Sequence, residues 1–114
     1  MPTRYYIRLP DPANARGNDP DLAFRAQGAA YFAEELQQAL REDTLFQRWR
    51  SKQDEPDEVD PALGATDPAA SVTGSQDDLH AELVAVTTLS SAVLRHRLGM
   101  LAGSHWQLRD VTAA

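Results

Sequence analysis

The hydrophobic period of this chain switches back and forth between two residues and about three and a half, and the order of those switches limits the architectures open to it. Near the start, TRYYIRLP sets Tyr5, Ile7 and Leu9 on one side and Arg4, Tyr6 and Arg8 on the other, the alternation of a half-buried strand that ends at Pro10. DPANARGNDPD follows with Asx, Pro and Gly turn signals and reads as a surface loop. LAFRAQ, residues 22–27, fits a second strand with Leu22, Phe24 and Ala26 inward, or the first turns of the next helix; the strand is preferred because Gly28 separates it from that helix. In AAYFAEELQQALRE, residues Ala29, Phe32, Ala33, Leu36, Ala39 and Leu40 fall within about a third of a helical wheel, so one face is buried and the other wet. Asp43 and Thr44 offer a break and a new cap, after which Leu45, Phe46 and Trp49 suit one side of a short second helix.

Prolines at 56, 61 and 68 then forbid long regular structure. ASVTGSQ can pair as a strand, and DLHAELVAVTT is the most β-prone run in the chain. Ser90 or Ser91 caps a helix, AVLRHRLGMLA, with Gly103 as its stop. SHWQLRDVT closes as a strand with Trp106 and Leu108 on one face, and Gln107 and Arg109 on the other. Strands and helices intermingle without a crossover helix after every strand. The expected fold is therefore α+β: an antiparallel or mixed sheet of four or five strands with two main helices on one face, a ferredoxin-like sandwich or close variant. A length of 114 residues suits one domain, 1–114, carrying an acidic Pro-rich loop at about 54–70.

Charge is distributed unevenly. Residues 54–78 hold eight of the seventeen acids and none of the eleven Lys and Arg, so this stretch carries −8 of a net −6 and the remainder is mildly basic at +2. The segment does not set alternating oxygen ligands, a mid-loop Gly and a closing Glu at the fixed spacing of a calcium loop, and reads as a solvated loop or as a strap over the basic surface of its own domain. The absence of cysteine removes disulfides, thiolate metal sites and cysteine nucleophiles. No window is long and apolar enough for a bilayer, which makes a cytoplasmic protein the expectation. Ten Arg against one Lys, with abundant Ala and Asp, points to a GC-rich bacterial genome.

No residue pattern specifies a catalytic, cofactor or metal site, and none is expected. His80, His96 and His105 are widely spaced, with only His80 and Glu82 sharing a strand face, and Ser104 beside His105 lacks a nucleophile elbow. An enzyme would need those histidines to converge with carboxylates in a pocket. On the last helix Val93, Leu94, Leu98, Met100, Leu101 and Ala102 cover more of the wheel than one packing face requires, and Arg97 lies inside that arc. Gly99 is a costly residue mid-helix unless another backbone comes close. The leading expectation is therefore a non-enzymatic protein-interaction or regulatory module, a homodimer or partner binder, using Val93, Arg97, Met100 and Leu101 with the acidic loop as a second contact. The alternative is a nucleic-acid-binding module whose outer sheet face shows Arg4, Tyr6 and Arg8, with His105, Gln107 and Arg109 on the last strand.

Overall fold

The structure, a computed structural model, describes residues 1–25 and 28–114. Seven elements run in the order β1 (Thr3–Leu9), α1 (Ala29–Arg41), α2 (Thr44–Arg50), β2 (Ser71–Asp77), β3 (His80–Thr87), α3 (Ser91–Ala102) and β4 (Gln107–Ala113), with short 3-10 turns at Pro12–Asn14, Pro56–Glu58 and Pro61–Gly64. The strands form one four-stranded antiparallel sheet in the order β2-β3-β1-β4.

Of the expected second strand over residues 22–27, the described part, 22–25, is not in this sheet. Residues 22–25 are turn and irregular backbone, and 26 and 27 lie outside the described residues. Two pulls outweigh the local alternation. The amides of Leu22 and Ala23 turn back to the Asp19 carbonyl, and the Phe24 amide donates to Leu101 O on α3. Phe24 is buried against Phe32 of α1 at a ring separation of 4.9 Å in a T-shaped pair. The apolar side chains thus fill the core from a loop.

Alternation decides the two sheet faces. Tyr5, Ile7 and Leu9 of β1, Ala81, Leu83 and Ala85 of β3 and Val72 of β2 are buried, and join Phe32, Ala33, Leu36 and Leu40 of α1 and Leu94, Leu98 and Leu101 of α3 in one core cluster. Tyr5 extends the anchoring by donating its hydroxyl to Leu89 O at 2.9 Å. Gly74 lets α1 lie close on β2, since a Cβ there would collide with the Ala29 carbonyl oxygen. α3 begins at Ser90, whose hydroxyl accepts from the Val93 amide at 3.3 Å, and stops at Gly103 with φ +61°.

A bulge in β4 changes which residues share the open face. Tyr6 pairs with Asp110 but Ile7 pairs with Leu108, so Arg109 is the extra residue and the alternation resets across it. Gln107, Asp110 and Thr112 therefore lie opposite Arg8, Tyr6 and Arg4. The bulge thus puts the Asp110 carboxylate opposite Tyr6, where unbroken alternation placed Arg109.

Candidate functional site

The acidic segment is anchored at three points. Arg97 is fully buried, and its guanidinium donates to three backbone carbonyls: Ala39 on α1 at 3.1 Å, Ala65 at 2.8 Å, and Leu63. It also lies 5.5 Å from the centre of the Phe46 ring. Arg50 holds the other end, donating to Pro56 O at 2.9 Å and pairing with Asp57. Asp67 closes the segment, accepting from the Thr87 hydroxyl at 2.8 Å and from the amides of Thr88 and Ala69 at 3.0 Å. The Thr88 amide and then the Thr87 hydroxyl hold the Asp67 carboxyl below the usual carboxylate range. The segment straps over the chain's own arginines, while Asp54, Glu55, Asp57, Glu58 and Asp60 remain exposed.

This arrangement accounts for the broad apolar arc of α3. Val93, Arg97, Met100 and Leu101, the residues expected to meet a partner, are all buried in the single chain, with Arg97 at 0% and Met100 at 7% exposure. Sheet and α1 cover one side of the helix, and the Pro61–Gly64 turn and the loop before α1 reach the rest. A charge usually kept at the surface is buried here because backbone carbonyls satisfy it. The sequence could not show which carbonyls would converge.

Gly99 also departs from its expected role. A Cβ there would meet nothing within 4 Å outside its own helix, so no backbone approaches it. It floors instead a cleft of about 640 Å³ lined by Trp49, Lys52, Arg95, His96 and Asn18. The His96 and Trp49 rings meet edge to face at 4.4 Å, and His96 Nδ1 is buried with no hydrogen-bond partner among the described residues. Burial first, and the neighbouring Arg97 charge second, hold the His96 imidazole below its ordinary value, which keeps it neutral at neutral pH. Lys52 at the cleft's edge is engaged by Asp19 and Asp21, each at 2.8 Å.

The open face of the sheet lies on the other side. Arg4, Tyr6 and Arg8 of β1 do share it, as expected, and each is half-buried by its neighbours. Cross-strand rows read Ser75, Glu82, Arg8, Gln107; then Thr73, Val84, Tyr6, Asp110; then Ser71, Val86, Arg4, Thr112. Tyr6, Val84 and Val86 make an apolar centre. Arg8 is paired with Glu82 at 2.8 Å, and Arg4 and Arg8 share the face with the carboxylates of Asp77, Glu82 and Asp110.

The three histidines do not come together. His80 is on the open face and His96 in the helix layer, and His105 is exposed ahead of β4. His80 does meet carboxylates, however, because the β2–β3 hairpin sets Asp77 directly opposite it. Its Nε2 lies 3.4 Å from Asp77 and 3.1 Å from Glu82. Sequence reasoning missed Asp77, since it read Asp78 and Leu79 as strand; a two-residue turn there makes Asp77 and His80 cross-strand partners. No family model, curated protein or solved structure matches this chain.

Proposed function

We propose that this protein is a non-enzymatic association module that pairs with a second copy of itself through the open face of its sheet. The observation that carries this reading is the uncovered face itself, which has an apolar centre at Tyr6, Val84 and Val86 inside a rim bearing both signs of charge. A depleted-charge centre with a polar rim is the anatomy of a protein interface, and a face holding Arg4 with Asp110 and Asp77 is complementary to its own copy. The carboxylates of Asp77, Glu82 and Asp110 on the same face disfavour nucleic acid, because they repel phosphate. Four strands at about 4.8 Å and seven residues at about 3.3 Å offer roughly 450 Å² per chain, so the pair would bury roughly 900 Å² and associate weakly. A contact through Val93, Arg97, Met100 and Leu101 would first require the acidic strap to leave.

The scaffold reading that goes with this is ferredoxin-like. With α2 as an addition, the order β-α-β-β-α-β and a sheet with β1 and β3 at its centre support it. A bacterial, cytoplasmic setting accords with the arginine-rich, cysteine-free composition, and no helix among the described residues is long and apolar enough to cross a membrane.

Sedimentation equilibrium over a concentration series tests the proposal. The mass should rise from 12.6 kDa toward twice that value, and Tyr6→Glu should hold it at the lower value with an unchanged circular dichroism spectrum. A wild-type mass that stays monomeric up to about 1 mM would overturn the dimer. Salt-sensitive binding of a single-stranded oligonucleotide that Arg4→Ala and Tyr6→Ala abolish would replace it with the nucleic-acid alternative.

A further inference from the structure

We infer that Asp77, His80 and Glu82 form a binding site for a divalent transition metal ion at the hairpin end of β2 and β3. One ligand atom from each residue lies within 4.8 Å of the other two, an arrangement produced by register: Asp77 faces His80 across the ladder, and Glu82 follows His80 by one strand period. The turn that makes this possible is two residues long, with Asp78 at φ +56°.

The state of His80 points to a ligand. Its Nε2 is buried and makes no hydrogen bond among the described residues, although carboxylate oxygens lie 3.1 and 3.4 Å away. Its contacts with Glu82 and Asp77 are electrostatic, without hydrogen-bond geometry, and a cation shared with the two carboxylates satisfies all three groups at once. The ligand atoms need only draw together slightly around an ion bound at about 2.0–2.2 Å, and Asp77, which is mostly exposed, is free to supply the movement.

Donor chemistry selects the kind of ion. One imidazole nitrogen with two carboxylate oxygens suits zinc or a neighbouring first-row divalent ion, while calcium requires six or more oxygens and soft monovalent copper requires sulfur. Arg8 supplies the outer support: it donates at 2.8 Å to Glu82 Oε1, the oxygen that lies 3.1 Å from His80 Nε2, and offsets one of the two carboxylate charges. Three protein donors leave the remaining coordination positions to water. The site is complete within one chain and does not depend on dimerisation.

The test is calorimetric titration of the metal-free full chain with zinc chloride, with calcium chloride as the hard-cation control. The expected result is saturable binding of one zinc ion per chain that excess calcium does not displace, weakened at least tenfold in His80→Ala and in Asp77→Asn, with circular dichroism confirming that both variants fold. A second readout on the wild type is the His80 imidazole resonances, which should shift on zinc addition while those of His96 stay in place. Absence of saturable zinc binding by the wild type would overturn the site and leave the three groups as an ion-paired cluster. Zinc affinity unchanged in His80→Ala would also overturn it, by placing the ion elsewhere in the chain.

Discussion

Arg97 on α3 and Arg8 on β1 belong to opposite sides of the same sheet and carry the same group, yet their surroundings differ in kind. Arg97 is enclosed and meets three carbonyls from two separate segments, whereas Arg8 is about a third exposed and meets one carboxylate on the neighbouring strand. The same contrast holds for carboxylates. Asp67 on the helix side gathers a hydroxyl and two amides, while among the described residues Asp110 on the open face bonds only to the amide next to it in the chain. The helix side uses its polar groups to hold the chain together. The open face pairs its groups with one another, across neighbouring strands, which is why association is proposed there and not at the helix that looked adhesive in sequence.

The strongest test of this contrast is the pair Arg97→Met and Arg8→Met. Methionine keeps most of the length of the side chain but donates nothing, so at position 97 three buried carbonyls lose their donor and the acidic strap loses its central anchor. A loss of about 3 kcal/mol is expected in urea unfolding, against about 0.5 kcal/mol for the half-exposed ion pair at position 8. Similar losses at the two positions would erase the distinction between the faces.

Acid unfolding sharpens it further. Because the Asp67 carboxyl is held below its usual range, its contribution is present above the unfolded carboxylate value near 3.9 and is lost as pH falls through the lower folded value. Wild-type stability should therefore hold from neutral pH to about pH 5 and decline below about pH 4. Asp67→Asn should lose about 1–2 kcal/mol at pH 7 and show a shallower decline in acid. A variant that falls as steeply as the wild type would show that other carboxylates govern the acid limb.

Most elements were legible because period and caps agreed with tertiary packing: the buried face of α1, the Ser90 cap, the Gly103 stop and the alternation of β1 and β3 all read directly from residue type. What escaped depended on partners distant in sequence. The bulge that exchanges Arg109 for Asp110 beside Tyr6 leaves no mark in an alternating run, because one inserted residue resets the period without changing composition. Residues 22–27 looked like a strand because Leu22, Phe24 and Ala26 alternate, but at Phe24 it is α3 that supplies the hydrogen bond a neighbouring strand would have given. Arg97 was visible as a charge inside an apolar arc; its carbonyl partners lie 32 to 58 residues away. The Asp77, His80 and Glu82 cluster required the hairpin turn to be placed to the residue.

The smallest expected effect reverses the usual direction. Gly99 faces the cleft beside His96 and Trp49, and a methyl group there meets no atom within 4 Å outside its own helix. Its φ does not lie in the left-handed region, so alanine fits the backbone and is the better helix former. Gly99→Ala should therefore stabilise the protein by about 0.5–1 kcal/mol, read as a higher thermal midpoint, while Gly74→Ala, whose methyl would strike the Ala29 carbonyl, should destabilise it. A gain at position 99 means that the glycine leaves the cleft floor open at the expense of stability. A loss at position 99 would mean that α3 has no free seam, and would leave the sheet face as the single open surface in the comparison.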